Sequence, residues 1–395
     1  MSERLSAVER LARLHTDTEI WWDSSPLVYA RWRAEVLGAA DVAATLSGEL
    51  QRLWDPDRPA EGLVRGATTN PPLAWQAVQA DLPHWEGVAR EAARGCADAR
   101  EHLWRVYGEV CRAGAERLLL LYEESDGQYG HICAQVDPRA LTDTETMLAQ
   151  ARRLHALSPN VMIKMPATRE GIAGLRVLSA QGIATTATLC FSVAQLVAVA
   201  EAAQQGFDEA RAAGRDLHGA RCCAALMLGR MEDVPRFRQE AAERGLALSE
   251  ADLRWAGVAI ARQAYAIYRE RGYEARLLCA SMRLGPTVDA ETRIWHLEQL
   301  AGGALVLTIF PNILASFLEL YCERPLAPRI GEPVPAEVLD RLLQVPYFRE
   351  AYEEDGVAPE GFVDLPGVQA TGRSFSEAMD TLERWTRSVY EASGQ

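Results

Sequence analysis

Lysine is almost absent from the sequence, although basic residues are not rare. Lysine and arginine together number 41, and Lys164 is the only lysine among them. A general preference for arginine explains the missing lysines, but it does not explain why one remains inside the apolar run NVMIKMPAT, residues 160–168. The primary amine of Lys164 is therefore the first candidate for a functional group.

A surplus of positive charge and a long apolar run are also missing. The formal net charge is -14 at pH 7, which opposes binding to nucleic acid, because such binding needs a basic face against the phosphates. No segment reaches the roughly 18 uninterrupted apolar residues of a membrane span. The charged start MSERLSAVERLARLH lacks the apolar core of a signal peptide. We predict a soluble, cytoplasmic protein with no nucleic-acid partner and no membrane partner.

The eight cysteines lack the spacing of metal sites and of redox motifs. None belongs to a Cys-x-x-Cys pair, and several lie in apolar, strand-like runs. Reduced cysteines in such runs behave as small, buried apolar residues. We therefore expect buried thiols, and we expect no metal site.

Eight short apolar runs recur along the chain, with helical patterns between them. Such alternation is typical of parallel βα units, and eight of these units close a barrel. The runs are residues 18–25, 62–70, 131–137, 160–167, 183–191, 220–228, 275–283 and 304–311. The sequence thus predicts an α/β fold, a (β/α)8 TIM barrel with extra N-terminal and C-terminal helices.

Start and stop signals punctuate the predicted helices. Thr168 is expected to cap a helix that Gly182 ends. Ser192 is expected to cap the next helix, which would stop at Gly206.

A Pro-rich segment, residues 324–337, marks the exit from the barrel. Beyond it lies an amphipathic stretch whose apolar face needs cover. We expect one barrel domain over residues 1–395, in which residues 325–395 form a helical C-terminal extension packed on the barrel.

Alternation along two of the runs predicts which side chains point into the barrel. The predicted inner faces are Thr186, Thr188 and Cys190 in the fifth run and Cys279, Ser281 and Arg283 in the seventh. A polar interior suits a barrel whose helices cover the outside and whose inside ends in a site.

Lys164 lies near the C-terminal end of its run. A period of two puts Met162 and Lys164 on one face, and Pro166 ends the strand just beyond them. The C-terminal ends of the strands form the catalytic face of a βα barrel. A desolvated lysine amine loses its charge and attacks carbonyl groups to form an imine, which a guanidinium cannot do. A lysine whose stem lines apolar surface and whose head reaches water fits the spacing equally well.

An imine-forming aldol enzyme also needs a proton acceptor and groups that hold its substrate. Asp23 follows the apolar EIWW of the first run, and Asn70 ends the second run. Arg230 follows the sixth run, while Ser281 and Arg283 lie at the end of the seventh. Each has an ordinary alternative: a solvated loop carboxylate, a turn residue before proline, or a surface or ion-pair residue. No single one of these residues indicates a site, but their common position at strand ends does.

The motifs around these residues resemble those of the transaldolase family. EIWWD resembles the first-strand Asp motif, GATTNPPL the TTNP motif, and VMIKMPATREGI the lysine motif. Further matches are AQVDPRALTDT, TATLCFS, LGRMED and CASMR, in family order. The resemblance implies a class I, Schiff-base enzyme on a (β/α)8 barrel.

The resemblance also implies roles for the matching residues. Lys164 would form the imine with the ketose C2 carbonyl, and Asp23 would take the C4 hydroxyl proton as the C3–C4 bond breaks. Thr188 would position a catalytic water, and Asn70 would bind the dihydroxyacetone moiety. The other predicted substrate-binding residues are Thr68, Thr186 and Ala225, together with Arg230, Ser281 and Arg283 for the phosphate. No metal and no organic cofactor is implied, because the iminium itself accepts the electrons.

Four positions depart from the transaldolase pattern. Gln135 stands where the family has a Glu that shares the catalytic water with Thr188, and a neutral amide cannot exchange a proton with that water. Thr186 replaces an Asn, Ala225 a Ser, and Met227 an aromatic residue. Gln135 and Ala225 are similar to the fructose-6-phosphate aldolase branch, although that branch is shorter and has Tyr at the position of Met227.

We predict a transaldolase-type transferase that moves a dihydroxyacetone unit from a ketose phosphate to an aldose through Lys164, with an unusual acceptor as the narrower hypothesis. One alternative is an aldolase that releases free dihydroxyacetone. Another is a degenerate barrel that binds a sugar phosphate or a protein partner without turnover. The expected ligands are small sugar phosphates, and the expected state is a monomer or a homodimer.

Overall fold

Eight parallel strands form a closed barrel in the computed structural model of the protein, which describes residues 5–39, 43–55 and 58–394. The barrel strands are β1 (Glu19–Trp22), β2 (Val64–Ala67), β3 (His131–Gln135), β4 (Val161–Pro166), β5 (Thr185–Cys190), β6 (Cys222–Met227), β7 (Arg276–Ala280) and β10 (Val306–Ile309). Their order around the barrel is β1-β10-β7-β6-β5-β4-β3-β2. Each predicted apolar run contains one of these strands, so the predicted (β/α)8 barrel is confirmed. Two short strands, β8 (Thr287–Val288) and β9 (Glu291–Thr292), form a separate antiparallel hairpin.

Helices surround the barrel and extend the chain beyond it. The α-helices are α1 (Ala7–Arg13), α2 (Tyr29–Ala39), α3 (Ala43–Leu53), α4 (Pro71–Ala80), α5 (Leu82–Ala93), α6 (Ala99–Glu124), α7 (Thr144–His155), α8 (Arg169–Ala180), α9 (Val193–Ala212), α10 (Pro235–Glu243), α11 (Glu250–Arg271), α12 (Trp295–Glu298), α13 (Pro311–Leu320), α14 (Ala336–Leu343), α15 (Pro346–Tyr352) and α16 (Pro366–Ala392). Short 3-10 helices lie at Pro26–Val28, Pro59–Glu61, Leu228–Arg230 and Pro359–Asp364. In the described part of the chain, no helix has both the length and the apolarity needed to cross a bilayer.

The predicted caps of α8 and α9 are present. The Thr168 hydroxyl accepts a hydrogen bond from a backbone N–H of the first turn of α8, and Ser192 does the same for α9. The predicted end of α9 at Gly206 is wrong, because the helix continues to Ala212. A Cβ on Gly206 would lie 2.6 Å from the carbonyl oxygen of Arg176, so this glycine allows α8 and α9 to approach closely.

A local break in β5 changes which side chains face the barrel interior. Leu189 has a left-handed backbone (φ 62°), and the register with β6 shifts so that Cys190 pairs with Leu226. Leu226 lies between Ala225 and Met227, which both line an interior cavity, so Leu226 faces outwards. Cys190 therefore faces outwards as well, and its predicted inner position is wrong.

A similar correction applies to β7. Leu278 and Ala280 line the interior cavity, so Cys279 between them faces outwards, contrary to the prediction. Ser281 has a left-handed backbone (φ 58°), which breaks the alternation and returns this residue to the cavity. Seven of the eight cysteines are buried as expected, but Cys322 is exposed.

An ionic cluster fills the N-terminal end of the barrel. Glu19 is buried and receives hydrogen bonds from Arg221 at 2.8 Å and from the Trp21 indole at 2.9 Å. The guanidinium of Arg276 lies 3.6 Å from the same carboxylate. Burial alone would raise the pKa of Glu19, but the two arginines and the hydrogen bonds together lower it.

The long C-terminal helix α16 packs across the helices that follow β2. Trp385 contacts Trp75 with ring centroids 5.7 Å apart, and the Tyr390 hydroxyl donates a hydrogen bond to the Cys96 carbonyl at 3.3 Å. On the side of β3, Arg139 forms ion pairs with Asp380 and Glu383 of α16. The last helix is therefore fixed close to the C-terminal ends of the barrel strands.

Candidate active site

Lys164 projects from the inner face of β4 near its C-terminal end. The side chain is 6% exposed, and Nζ donates a hydrogen bond to the backbone carbonyl of Thr69 at 3.1 Å. Within the described residues Lys164 has no ion pair with a carboxylate. Its amine is thus desolvated, and its partner is a backbone carbonyl and not a carboxylate.

Asp23 follows β1 and is buried beside the lysine. Its Oδ1 accepts a hydrogen bond from the Thr68 hydroxyl at 2.6 Å, and Thr68 also lies 2.6 Å from the Thr308 hydroxyl. Burial raises the pKa of Asp23 to about 6, against the smaller opposing effects of Thr68, Lys164 and Arg230. A carboxyl group with this pKa can both accept and return a proton near neutral pH.

Most of the predicted site residues line one small cavity at the C-terminal end of the barrel. Those that line it are Asp23, Thr68, Asn70, Lys164, Ala225, Arg230 and Ser281. Those that do not are Gln135, Thr186, Thr188 and Arg283. The remaining wall is apolar and is made by Met227, Leu278, Ala280 and Phe310.

Gln135 and Thr188 flank the lysine from the two neighbouring strands. Gln135 pairs in register with Lys164, and Thr188 pairs with Pro166. Both side chains are buried, yet Gln135 Oε1 and Thr188 Oγ1 have no hydrogen-bond partner among the described residues. Because an unpaired buried polar atom is costly, these two atoms favour a bound water or a ligand atom beside the amine.

Thr186 is directed to a different place. It pairs in register with Lys164, but its hydroxyl contacts the sulfur atoms of Met162 and Cys133 below the cavity. The structure therefore places Thr186 under the lysine and not in the cavity wall.

The two candidate anion-binding arginines differ in their partners. Arg230 ends a 3-10 helix after β6, and its guanidinium lies 5.5 Å from the centroid of the Phe375 ring of α16. No ion pair to Arg230 is found in the described part of the chain. Burial and the neighbouring Arg283 lower the pKa of Arg230, whereas Arg283 itself pairs with Asp233 at 2.7 Å. Arg230 is therefore the better candidate for an anionic ligand.

Asn70 combines a structural and a site position. Its Oδ1 accepts a hydrogen bond from the backbone N–H of Leu73 at 3.0 Å and so caps α4. The residue also lines the cavity. The interpretation as a turn and capping residue is confirmed, whereas the role of Asn70 in ligand binding stays a prediction.

Several residues of this site were not predicted from the sequence. Thr308 is the one hydroxyl residue in its apolar strand, and Phe310 lies at the end of that strand, so strand alternation could have indicated both. The Thr69 carbonyl binds the lysine through its backbone, which leaves no mark on residue type. Phe375 comes from a helix far away in the sequence, and no local signal points to it.

The arrangement has the groups that carbonyl chemistry needs. Lys164 supplies a desolvated amine, Asp23 a carboxyl group that titrates near neutral pH, and Arg230 an unpaired cation in the same cavity. An amine beside a general acid and base is typical of imine-forming enzymes.

Comparison with known proteins gives consistent matches. The family model described as Transaldolase/Fructose-6-phosphate aldolase matches residues 50–358. The protein named Transaldolase 1 from Streptomyces coelicolor is 30% identical over 336 residues, which cover 84% of this chain and 83% of that protein. The protein named Transaldolase from Mycolicibacterium paratuberculosis is 36% identical over 228 residues, and that from Thermobifida fusca is 34% identical over 221 residues.

The matched segments differ in extent. They cover 57% of this chain and 58% of the Mycolicibacterium protein, and 55% of this chain and 59% of the Thermobifida protein. The chain thus matches less than two thirds of the length of these two relatives. The family match covers most of the chain and includes the strands that carry Thr68, Lys164 and Ser281. The chain belongs to the transaldolase/fructose-6-phosphate aldolase family.

Proposed function

We propose that this protein transfers a three-carbon dihydroxyacetone unit from a ketose phosphate to an aldose acceptor through an imine on Lys164. The observation that carries this proposal is the single cavity shared by Lys164, Asp23 and Arg230. Family membership supports the type of reaction.

The first step joins the substrate to the protein. The unprotonated amine of Lys164 attacks the C2 carbonyl carbon of the ketose. One amine proton and one proton from the solvent convert the carbonyl oxygen to water, which leaves an iminium ion. Gln135 and Thr188 hold this water, since both have free acceptor atoms on strands next to the lysine. The same water later returns to hydrolyse the imine.

The second step breaks the C3–C4 bond. Asp23 takes the proton of the C4 hydroxyl, the bonding electrons move to C3 and neutralise the iminium, and the aldehyde fragment leaves. The resulting enamine attacks the carbonyl carbon of the acceptor, and Asp23 returns its proton to the new hydroxyl. The pKa of about 6 suits Asp23 for both directions.

The phosphate of the donor is bound at the far end of the cavity. Arg230 supplies charge-assisted hydrogen bonds, with help from Ser281 and from Arg283 after it exchanges Asp233 for the ligand. Asn70 hydrogen-bonds the dihydroxyacetone moiety through its free amide nitrogen. Because Ala225 and Met227 replace a hydroxyl and an aromatic residue of the family pattern, we propose an acceptor that differs from common aldose phosphates.

A donor and acceptor panel tests this function. The protein is incubated with fructose 6-phosphate and a series of aldehydes, and new ketoses are detected by mass spectrometry. We expect at least one new ketose that is three carbons longer than its acceptor. Absence of any new ketose, with an active transaldolase as control, would count against the transferase.

A second candidate function is aldol cleavage without transfer. It is favoured by Gln135, a neutral amide whose Oε1 is free and which cannot exchange a proton with the water. The test is the same incubation without an acceptor. Stoichiometric release of free dihydroxyacetone would favour an aldolase, whereas retention of the unit until an acceptor is added would favour the transferase.

A further inference from the structure

A buried polar network lies behind the two loops that carry Arg230 and Arg283, outside the cavity. Its members are Glu232, which follows Arg230 by two residues, Arg254 in α11 and His296 in α12. Each of these three residues is less than a tenth exposed. No step of the proposed reaction uses them.

His296 binds the loop that follows β7. Its Nδ1 accepts a hydrogen bond from the backbone N–H of Arg283 at 3.0 Å, so the neutral ring carries its proton on Nε2. Nε2 lies 3.4 Å from Oε1 of Glu232 without forming a hydrogen bond to it, and neither atom has another hydrogen-bond partner among the described residues. Burial lowers the pKa of His296, against the opposing effect of Glu232, and this keeps Nδ1 an acceptor. The imidazole therefore fixes the backbone at Arg283.

Arg254 binds the same loop one residue further on. Its Nε donates a hydrogen bond to the carbonyl of Leu284 at 3.0 Å, and its guanidinium also pairs with Glu232. A weaker contact links it to Glu250 at 3.1 Å. Glu232 thus lies between Arg254 and His296, and it belongs to the loop after β6. The network therefore joins the two arginine loops.

A direct contact brings these loops even closer together. The backbone N–H of Gly229 donates a hydrogen bond to the Ser281 carbonyl at 3.0 Å. A Cβ on Gly229 would lie 2.4 Å from the same carbonyl oxygen, so no larger residue fits without movement of one loop. The loops are therefore packed backbone against backbone just below Arg230 and Arg283.

We propose that His296, Glu232 and Arg254 are positioning residues that hold Arg230 and Arg283 at the separation required for one phosphate group. The proposal rests on the proposed function only in assigning the two arginines to the substrate phosphate. Arg230 and Arg283 repel each other, and this repulsion adds to the effect of burial in lowering the pKa of Arg230, so a pair of arginines packed on adjoining loops needs a rigid support. The buried carboxylate of Glu232 and the two loop hydrogen bonds give that support.

Stability alone does not account for this network. A buried ion pair is often no more stabilising than apolar side chains of the same volume. Hydrogen bonds to two successive residues of one loop, in contrast, define the position of its backbone. We therefore expect substitutions here to change phosphate affinity more than the chemistry at Lys164.

The test compares His296→Leu, which removes the acceptor of the Arg283 N–H, with His296→Asn, whose Oδ1 can occupy the place of Nδ1. Glu232→Gln provides a third variant that keeps the side-chain volume. The matched control is His102→Leu, because His102 is also buried and its ring bonds a backbone carbonyl, that of Ala89, in another part of the molecule. Four quantities are measured: KM and kcat for fructose 6-phosphate, the Kd of inorganic phosphate by calorimetry, and the extent of borohydride trapping of dihydroxyacetone, which has no phosphate.

For His296→Leu we expect KM and the phosphate Kd to rise about five- to tenfold, as for one lost buried hydrogen bond, with kcat and trapping within about twofold of wild type. His296→Asn should restore most of the affinity, and His102→Leu should leave it unchanged. Equal losses in phosphate binding and in trapping, or no recovery in His296→Asn, would overturn the proposal. If no ketose donor reacts at all, the phosphate Kd still decides it: an unchanged Kd in His296→Leu and Glu232→Gln contradicts the positioning role, and a raised Kd supports it.

Discussion

The two ends of the barrel both bury charged side chains, but those charges have different partners. At the N-terminal end, Glu19 is surrounded by Arg221 and Arg276, and its pKa is lowered. At the C-terminal end, the one hydrogen-bond donor to the Asp23 carboxylate among the described residues is the Thr68 hydroxyl, and the pKa of Asp23 is raised to about 6. Lys164 nearby has a backbone carbonyl as its partner.

This difference separates a structural cluster from a reactive one. Buried charges that pair with each other are costly to separate and are not available for a substrate. Groups that are desolvated and incompletely paired keep their reactivity, and such groups cluster at functional sites. A buried carboxylate is thus paired with arginines at one end of the barrel, and at the other end it accepts a hydrogen bond from a hydroxyl and keeps a raised pKa.

The largest expected effect comes from Lys164, with Arg276 at the opposite end of the barrel as the comparison. Lys164→Arg keeps the charge but removes the amine, so we expect turnover to fall by at least about 10³-fold, as for loss of a nucleophile. Arg276→Lys at the opposite end should keep turnover within about twofold. Initial rates of ketose formation measure both. Retention of wild-type rates in Lys164→Arg would mean that no imine forms on this residue.

Substitution of the two buried carboxylates should likewise affect kcat/KM to different extents. Asp23→Asn removes the proton acceptor, and we expect kcat/KM to fall by about 10² to 10⁴-fold. Glu19→Gln should leave kcat/KM nearly unchanged at temperatures where the variant is folded. Equal losses of kcat/KM in the two variants would show that the ends do not differ in function.

The contributions of these two carboxylates to the free energy of unfolding should change with pH in opposite directions. The folded pKa of Asp23 lies above its model-compound value of 3.8, so its ionisation destabilises the fold as pH rises from about 4 to about 6. Asp23→Asn should therefore be more stable than wild type by up to about 3 kcal/mol at pH 7, and the gain should vanish near pH 4. Chemical denaturation at several pH values measures this.

Glu19 supplies the matched comparison. Its folded pKa is lowered, so its stabilisation is complete above about pH 4.5 and is lost as pH falls further. Glu19→Gln leaves two arginines without their partner and should cost about 3 to 5 kcal/mol at pH 7, less at acid pH. Parallel pH profiles for the two variants would contradict the assigned environments.

The smallest expected effect concerns the ring beneath Arg230. Phe375→Leu removes the cation–π contact, and KM for a phosphorylated donor should rise about threefold with little change in kcat. Phe348→Leu is the control, because Phe348 is a buried ring that packs against Phe237 and Tyr352 away from the cavity. A similar KM in both variants would remove Phe375 from the account of phosphate binding.

The regular parts of the fold were predictable from the sequence because they follow local rules. Short apolar runs located all eight barrel strands, and the caps at Thr168 and Ser192 are local hydrogen bonds. Alternation failed at Leu189 and Ser281, where left-handed backbone breaks the period of two on which the prediction depends.

The site was predictable to the extent that strand ends meet at one barrel mouth. This rule brought Asp23, Asn70 and Lys164 into one cavity. It could not find Phe375, whose position depends on how α16 packs, nor the pairing of Arg283 with Asp233, which depends on loop conformation. It also did not show that Thr186 points below the cavity.

Reductive trapping shows directly whether Lys164 forms an imine with the substrate. The protein is incubated with fructose 6-phosphate, reduced with borohydride, digested and analysed by peptide mass spectrometry. No side chain other than Lys164 carries a primary amine. We expect a stable adduct with the mass of a reduced three-carbon unit on the peptide that contains Lys164. A failure to trap any adduct there, under conditions in which the protein turns over, would contradict it.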